Sequence, residues 1–264
     1  MEIKVCGSIS PYPKGNMHCS SFFVQENDTK ILLDSGFGSS SELDMLKDLR
    51  NLSIIISHYH PDHYADLLAI ANSSYIGKKL GYLDKPIDVY LPDDGVKQRN
   101  LGEWQTPIFL STDYQFLTKD RPNFMRFHKY DGNSELALDE LKVQFVKTPH
   151  EGDAYAIKVT NGSEVLVYSG DTAYEDNPLE KFALNADALI CEATYLKGQN
   201  KGRDQHLYAY EAANIAKQAQ VKDLYLYHTY PELDKSLYVE EASEIFPNTH
   251  SVEEKQIIKL EKRN

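Results

Sequence analysis

Short apolar runs separated by polar turns recur along the chain and predict a protein rich in β-strands. Residues 52–56 read Leu-Ser-Ile-Ile-Ile, and a β-branched run of this kind is typical of a buried strand. Further apolar or alternating runs predict strands at 3–8, 21–25, 30–34, 86–92, 141–146, 154–160, 164–168, 187–192, 223–228 and 256–260. A few turn residues separate 21–25 from 30–34, and 154–160 from 164–168, which predicts two β-hairpins.

Four segments with a helical spacing of apolar residues lie between these strands. They cover residues 39–49, a stretch from Asp62 through Ala71, residues 206–220 and residues 237–246. The chain contains no internal repeat of the solenoid type and no low-complexity linker. The mixture of strands and helices therefore predicts one compact domain over residues 1–264, of the α/β (α+β) class, with mixed sheets and outer helices.

Composition and charge narrow the class of function. Hydrophobic residues make up 41% of the 264 residues, enough for a sizeable core, and the formal net charge is −12. This acidic balance disfavours an extended nucleic-acid surface, because polyanions bind to basic surfaces. The three cysteines, Cys6, Cys19 and Cys191, are far apart and predict no disulfide framework. No signal-peptide core and no apolar run of ~20 residues is present, so we expect a cytoplasmic protein without membrane contact.

The densest group of reactive side chains directly follows the predicted strand 52–56. It consists of His58, His60, Asp62 and His63. His58 and His60 alternate, so both point to one side in extended backbone, and Pro61 suits the first position of a helix. A strand end, a turn and a helix start thus bring four potential ligands together, and imidazoles with a carboxylate suit zinc or a similar divalent ion. Four solvated loop residues are the alternative, which this density of ligand types disfavours.

The spacing His58-x-His60-x-Asp62-His63 resembles the signature of the metallo-β-lactamase superfamily, His-x-His-x-Asp-His. The resemblance implies a four-layer αββα sandwich with a metal site at one edge of its two sheets. It also implies that Asp34, in the Asp-Ser-Gly turn after strand 30–34, supports that site. A plain turn is equally compatible with the local sequence around Asp34.

Five predicted strands are each followed or ended by a ligand-type residue, namely His58, His150, Asp171, Glu192 and His228. Strand ends along one sheet edge are where α/β folds build their sites. The superfamily resemblance implies a first metal position held by His58, His60 and His150, and a second held by Asp62, His63 and His228. It places Asp171 between the two metals, a role that suits a carboxylate because it has two oxygens. We therefore expect two divalent ions, zinc or alternatively manganese, that share an activated hydroxide as nucleophile.

Two further segments resemble the ribonuclease Z branch of the superfamily and small bacterial hydrolases of the YhfI type. Glu192-Ala193-Thr194-Tyr195 is similar to a His-Glu-Ala-Thr-Phe motif, and the segment from His206 is similar to a His-Ser-Thr-x-x-Glu-Ala-Ala helix. The resemblance implies that Glu192 orients a protonated His206, which assists the leaving group. It also counts Asp62 among the catalytic residues. From local sequence alone, a helix cap or an exposed surface residue is the less favoured alternative for His206.

This chain departs from full ribonuclease Z in ways that limit the predicted substrate. Cys191 replaces the histidine before Glu192, Leu207-Tyr208 replaces Ser-Thr, and the interval from 150 to 206 is too short for a tRNA-gripping arm. We therefore expect a phosphodiesterase for a small phosphodiester or a short oligonucleotide, compatible with a homodimer. A thioester hydrolase of the glyoxalase II kind is one alternative, although residues 229–264 are too few for its helical substrate domain. A non-catalytic metal-binding sensing module is the other, which the complete ligand set disfavours.

Overall fold

Two sheets form the centre of the molecule. The computed structural model describes residues 1–45, 47–93, 124–199 and 205–260. Within these ranges fourteen strands form two seven-stranded sheets, ordered β14-β1-β2-β3-β4-β5-β6 and β13-β12-β11-β10-β9-β8-β7. The strands are β1 (Glu2–Gly7), β2 (Ser21–Glu26), β3 (Thr29–Leu33), β4 (Leu52–Ile55), β5 (Ile87–Pro92), β6 (Met125–Tyr130), β7 (Glu135–Leu138), β8 (Leu141–Thr148), β9 (Ala154–Thr160), β10 (Val165–Tyr168), β11 (Ala188–Glu192), β12 (Asp223–Tyr227), β13 (Thr249–Ser251) and β14 (Ile257–Lys259).

Each sheet is antiparallel on one side and parallel on the other. In the first sheet the strands from β14 through β3 pair antiparallel, and those from β3 through β6 pair parallel. In the second sheet β7 through β10 pair antiparallel, and β10 through β13 pair parallel. The carboxyl ends of β8, β10, β11 and β12 therefore meet at one edge of the second sheet. Both predicted hairpins, β2–β3 and β9–β10, are confirmed.

Helices cover the outer faces of both sheets. They are α1 (Pro61–Tyr64), α2 (Leu67–Lys79), α3 (Leu179–Phe182), α4 (Ala209–Gln218) and α5 (Lys235–Ser243). A strand has two faces, so successive apolar residues enter different cores. Ile31 and Leu33 of β3 pack between the sheets, whereas Leu32 packs outward with residues of α1 and α2. The second sheet packs outward against α4 and α5. The expected αββα sandwich of the metallo-β-lactamase fold is thus confirmed.

One predicted helix is wrong, and several elements were not predicted. The described residues of 39–49, which leave out 46, do not form an α-helix: a 3₁₀ turn covers Ser39–Glu42, and Leu43 already has extended backbone. The hydroxyls of Ser39 and Ser41 donate back to the carbonyls of Gly36 and Gly38, which offers the backbone an alternative to a helix. The predicted helix 206–220 begins later, at Ala209. The elements β6, β7, β13 and α3 are short or carry charged, exposed residues that obscure their pattern.

None of the helices within the described ranges combines the length and the apolar character that crossing a lipid bilayer requires.

Candidate metal centre

All seven predicted metal ligands come together at one edge of the two sheets. His58 and His60 follow β4, and α1 carries Asp62 and His63 with Pro61 at its first position. The other three ligands, His150, Asp171 and His228, follow β8, β10 and β12 of the second sheet. The side chains form two adjacent groups whose ligand-type atoms lie within 4.8 Å of one another: His58, His60, His150 and Asp171 in one, Asp62, His63 and His228 in the other.

Asp171 lies between these two groups. One of its oxygens, Oδ2, is 3.5 Å from His58 Nε2 and 3.3 Å from His228 Nε2. The other, Oδ1, is 3.3 Å from His63 Nε2. The carboxylate is 1% exposed. Its two oxygens therefore face both groups, which is the arrangement expected of a shared ligand.

Hydrogen bonds on the far side of three imidazoles determine which ring nitrogen faces the cluster with a lone pair. His63 Nδ1 lies 2.7 Å from Asp34 Oδ2, an acceptor, so Nδ1 carries the proton. His150 Nδ1 likewise donates to the backbone carbonyl of Gln205, at 2.8 Å. His58 Nδ1 is 3.0 Å from Ser57 Oγ, whose own proton goes to Asp34 Oδ2. In each of these rings, when neutral, Nε2 therefore carries a lone pair that points into the cluster.

Thr194 orients the His228 ring in the same way. The Thr194 hydroxyl donates to Glu192 Oε2 at 2.9 Å and has one proton only, so it accepts from His228 Nδ1, also at 2.9 Å. The Nε2 atoms of His63 and His228 then face each other at 3.3 Å. Two lone pairs at this separation repel unless a proton or a cation lies between them.

These residues fit divalent cations. Tetrahedral zinc with bonds of 2.0–2.1 Å separates its ligand atoms by roughly 3.3–3.4 Å, close to the distances within the cluster. His58 Nε2 and Asp171 Oδ1 are buried and have no hydrogen-bond partner among the described residues. Buried polar atoms are nearly always paired, so orphaned atoms directed at a common point indicate a missing binding partner. The nitrogen and oxygen donor set suits zinc or a similar ion.

Electrostatics within the cluster also favour a cation. Burial lowers the pKa of His58 well below its usual value and that of His60 to about 4, so both rings are neutral and free to coordinate. Burial also acts against the ionised form of Asp171. The imidazoles of His228, His63 and His58 nevertheless hold the pKa of that carboxyl well below its usual range. Neutral imidazole and ionised carboxylate are the forms that bind metal ions.

Asp34 supports the cluster through hydrogen bonds to Ser57 and His63, as the superfamily resemblance implies. It is fully buried and has a left-handed backbone with φ of 59°. Its Oδ1 accepts from Ser57 N, and its Oδ2 accepts from Ser57 Oγ, His63 Nδ1 and Tyr168 OH, at 2.6–2.7 Å. These four hydrogen bonds fix the Asp34 carboxylate in place, and the one from Nδ1 orients the His63 ring.

His206 and Glu192 form the predicted pair at the rim of the cluster. His206 Nδ1 donates to Glu192 Oε1 at 2.9 Å, and the His206 ring stacks on that of His228 with centroids 5.1 Å apart. Burial acts to lower the pKa of His206, but the Glu192 carboxylate outweighs it and raises this pKa to about 9. Glu192 is fully buried and also accepts from Thr172 N, Leu207 N and Thr194 Oγ1. The glutamate is therefore rigid, and the histidine, with a side chain 20% exposed, reaches the surface.

Sequence reasoning missed the residues that orient these groups. Ser57, Thr194, Tyr168 and the Gln205 carbonyl belong to no motif that predicts these contacts, although Ser57 and Thr194 lie beside recognised motif residues. Ser10 was also missed, and its hydroxyl donates to Asp62 Oδ2 at 2.9 Å. No local pattern links position 10 to position 62, so only the fold reveals this contact.

Comparisons with known proteins agree with this geometry. Residues 29–229 match the family described as the beta-lactamase superfamily domain. The chain is 28% identical over 229 residues to the probable metallo-hydrolase YhfI of Bacillus subtilis (strain 168), covering 86% of each chain. The crystal structure of that protein has a TM-score of 0.82 at 24% identity, covering 97% of this chain and 98% of that one.

Ribonuclease Z enzymes are also similar to this chain. Ribonuclease Z of Pyrococcus abyssi is 25% identical over 281 residues, which cover 91% of this chain and 89% of the relative. The short form of human tRNase Z has a TM-score of 0.70 at 17% identity, covering 99% of this chain and all of that one. At that identity the second likeness concerns the fold alone.

Proposed function

The chain belongs to the beta-lactamase superfamily, and from this premise we propose that it is a two-metal hydrolase that cleaves a small phosphodiester or a short oligonucleotide. The observation that carries the proposal is the Glu192–His206 pair beside Asp171, with His206 Nδ1 3.8 Å from Asp171 Oδ2. A hydrolase of this class needs a cation cluster and, next to it, a group that can protonate a poor leaving group. Both features lie at the same edge of the sheets.

The residues that hold the cations follow from the two groups of side chains. His58, His60 and His150 would bind the first cation, and Asp62, His63 and His228 the second, with Asp171 shared. When bound, two divalent cations polarise a phosphoryl oxygen and lower the pKa of coordinated water. Zinc suits this donor set, and manganese is the alternative. The buried serine, threonine, aspartate and carbonyl partners of the imidazoles keep the ligand rings in place without cost at the moment of reaction.

His206 assists the leaving group in this proposal. Its Nδ1 proton is committed to Glu192, so the proton at Nε2 is the one available to a substrate. The buried Glu192 favours the imidazolium form, which can donate a proton to the departing oxygen or stabilise negative charge on the phosphoryl group. Four donors hold Glu192, so it orients His206 and does not itself reach a substrate.

The net charge and the length of the chain between His150 and His206 both favour a small substrate. The ribonuclease Z relatives point to phosphodiester chemistry. A net charge of −12 disfavours a long polyanion, and the interval between His150 and His206 leaves no room for a protruding arm that grips tRNA. We therefore propose a compact phosphodiester as substrate. We also propose, from the sequence, that residues 1–264 form one domain and that the protein is a homodimer. A cytoplasmic location is the third proposal, and the three buried free cysteines are compatible with it.

One experiment tests reaction class and metal dependence together. Purified protein is stripped of metal, its metal content is measured, and it is reloaded with zinc or manganese. Turnover is then measured on bis-p-nitrophenyl phosphate and on a thioester. We expect two cations per chain and phosphodiester turnover only in the loaded protein.

Two results would contradict the proposal. Rapid thioester cleavage without phosphodiester cleavage would make the chain a thioesterase. Full loading with no turnover on either substrate would favour a metal-binding sensing module.

A further inference from the structure

A segment near the start of the chain contacts two of the predicted ligands in the second group, Asp62 and His228. We call residues 8–10 the strap. Ile9 forms isolated β-bridges with both Cys19 and Thr229. The strap, which directly follows β1, thereby lies between the residues that precede β2 and the loop that carries His228. It is buried throughout, with Ser8 fully buried and Ser10 3% exposed.

The strap holds the backbone of His228. The His228 amide donates to the Ser8 carbonyl at 2.7 Å, and the Ser10 amide donates to the Thr229 carbonyl at 3.2 Å. His228 has a φ of 63°, a left-handed conformation that a residue with a Cβ adopts only when its surroundings enforce it. Two backbone hydrogen bonds to the strap on either side of the Cα supply that constraint.

The strap also holds the side chain of Asp62. The Ser10 hydroxyl donates to Asp62 Oδ2 at 2.9 Å, and the same oxygen lies 3.3 Å from His228 Nε2. Asp62 lies with His63 in the four-residue helix α1, so no strand pairing constrains its main chain. Its carboxylate orientation therefore depends on side-chain partners, and among the described residues Ser10 is the one that donates to it from outside the ligand cluster.

A mostly buried lysine fixes the strap in place. Lys235 Nζ, on a side chain 13% exposed, donates to Ser8 Oγ at 3.0 Å and to the Val252 carbonyl at 2.7 Å. Ser8 Oγ in turn donates to Glu254 Oε1 at 2.7 Å. The hydroxyl of Ser8 thus lies between a cation and an anion, an arrangement that strengthens both hydrogen bonds. No strap residue contacts the first group, His58, His60 and His150, through a hydrogen bond among the described residues.

We propose that the strap, chiefly through Ser10, positions Asp62 and His228 and so sets the affinity of the second cation independently of the first. The inference rests on the proposed two-metal function. Ser10 is a positioning residue that acts through Asp62, and it need not touch a substrate. Partners that orient metal ligands commonly contribute ten- to hundredfold to metal affinity.

The test measures zinc binding to metal-free protein by calorimetric titration, with metal analysis after dialysis into zinc-buffered solution. Wild-type protein is compared with Ser10→Ala. We expect the tighter dissociation constant to stay unchanged and the second to weaken about 10–100-fold in the variant. Cobalt loading adds a spectroscopic readout, because the absorption of the second equivalent should change in Ser10→Ala while that of the first should not.

The matched control is Ser74→Ala. Ser74 is 1% exposed and its hydroxyl also donates a single hydrogen bond, to the Phe124 carbonyl at 3.1 Å, away from the cluster. It should leave both dissociation constants unchanged. Should Ser10→Ala fail to fold, Ser10→Cys is near-isosteric and replaces the hydroxyl with a weak donor, so it tests the same contact.

The outcomes separate the inference from the function on which it rests. Two cations in wild-type protein with equal affinities in Ser10→Ala would overturn the inference and leave the proposed function standing. Equal weakening of both cations would also overturn it, because the strap would then act on the whole site. A wild-type chain that binds fewer than two cations would overturn both proposals.

Discussion

The hydroxyl of Thr194 connects the predicted ligand His228 to the predicted proton donor His206. It accepts from His228 Nδ1 and donates to Glu192, which in turn accepts from His206 Nδ1. The orientation of His206 and that of His228 are therefore coupled through two buried side chains. Because Glu192 is fully buried and fully paired, it cannot follow a displaced histidine without losing a hydrogen bond.

His206→Ala tests the role of the proton donor. We expect phosphodiester turnover to fall about 10²–10⁴-fold, the usual contribution of a positioned general acid, because the leaving oxygen would lose its proton source. Metal content should be unchanged, since each predicted cation keeps its ligands. The measurement is kcat on a short oligonucleotide, whose sugar oxygen needs a proton to depart whereas p-nitrophenolate does not, together with metal analysis of the same sample.

His250→Ala is the control for that variant. His250 has a side chain 46% exposed and is paired with Asp223 on β12, away from the cluster, so its removal should not change turnover. A His206→Ala protein with wild-type kcat would show that His206 does not donate the proton. A protein that loses metal would show that the ring instead supports the ligands.

At the scale of single residues, the sequence predicts the metal ligands better than the residues that orient those ligands. His58, His60, Asp62 and His63 fall within six residues, so their chemistry is visible without a structure. Ser10, Thr194 and Gln205 each act through one long-range hydrogen bond, and serine, threonine or a backbone carbonyl is too common to stand out. Which carboxylate or imidazole each of them meets depends on the packing of distant strands.

At the scale of elements, the turn after β3 and the helix α1 are packed in direct backbone contact. A Cβ added at Gly36 would lie 2.0 Å from the Asp62 carbonyl oxygen and 2.7 Å from Cys19 Cβ. Ser35 N also donates to the His63 carbonyl at 2.7 Å. The turn therefore determines where α1 begins, and with it the positions of Asp62 and His63.

Gly36→Ala should displace α1 from its place beside the cluster. The added methyl group meets backbone, which cannot rotate away, so we expect a loss of about 1–3 kcal/mol in the free energy of unfolding. We also expect weaker binding of the cation held by Asp62 and His63. Chemical denaturation and zinc titration of the purified variant measure the two effects.

Gly132→Ala provides the comparison for Gly36→Ala. A Cβ at Gly132 would meet its nearest neighbours at 3.8 Å, an ordinary contact, so stability and zinc affinity should be near those of wild type. If Gly36→Ala were as stable as Gly132→Ala and bound zinc equally well, α1 would not depend on the turn.

Prediction of elements from sequence succeeded where one face of a strand is buried and failed where side chains bind their own backbone. The alternation in 141–146 and the run in 52–56 are both confirmed as strands because burial enforces them. In 39–49 the leucines had helical spacing, but serine hydroxyls bind nearby carbonyls and the segment turns. Strand β6 was missed because charged and partly exposed residues interrupt its apolar pattern.

At the scale of the whole molecule, the site joins the two sheets. The first sheet contributes His58 and His60 through β4, and the second contributes His150, Asp171 and His228. Bound cations would therefore crosslink the sandwich at one edge. Without them, His63 Nε2 and His228 Nε2 lie 3.3 Å apart with only a proton to separate their lone pairs. Burial acts against that proton, but the Asp171 and Asp34 carboxylates outweigh it and raise the pKa of His63 well above its usual value.

Removal of metal should lower the stability of the whole fold. A ligand present at a hundredfold excess over its Kd adds about 2.7 kcal/mol, which corresponds to roughly 5–10 °C in Tm for a chain of this size. We expect chelation to lower Tm by at least that much and zinc to restore it. Differential scanning calorimetry with and without chelator measures the shift.

Asp171→Ala should abolish this metal-dependent shift, since it removes the shared carboxylate, whereas His250→Ala should retain it. An unchanged Tm on chelation, with metal loss verified by elemental analysis, would mean that the cations do not link the sheets.

The pairing of β1 with β14 has a consequence for biosynthesis. Glu2, Ile3 and Lys4 lie opposite Lys259, Ile258 and Ile257, so during synthesis the outer edge of β1 stays uncovered until β14 has left the ribosome. The hydroxyl of Ser8 likewise lacks its hydrogen bond from Lys235 until that residue has emerged. We therefore expect zinc capture at the second position to be deferred, and ribosome-bound nascent chains in which Lys235 is still inside the exit tunnel should not retain it.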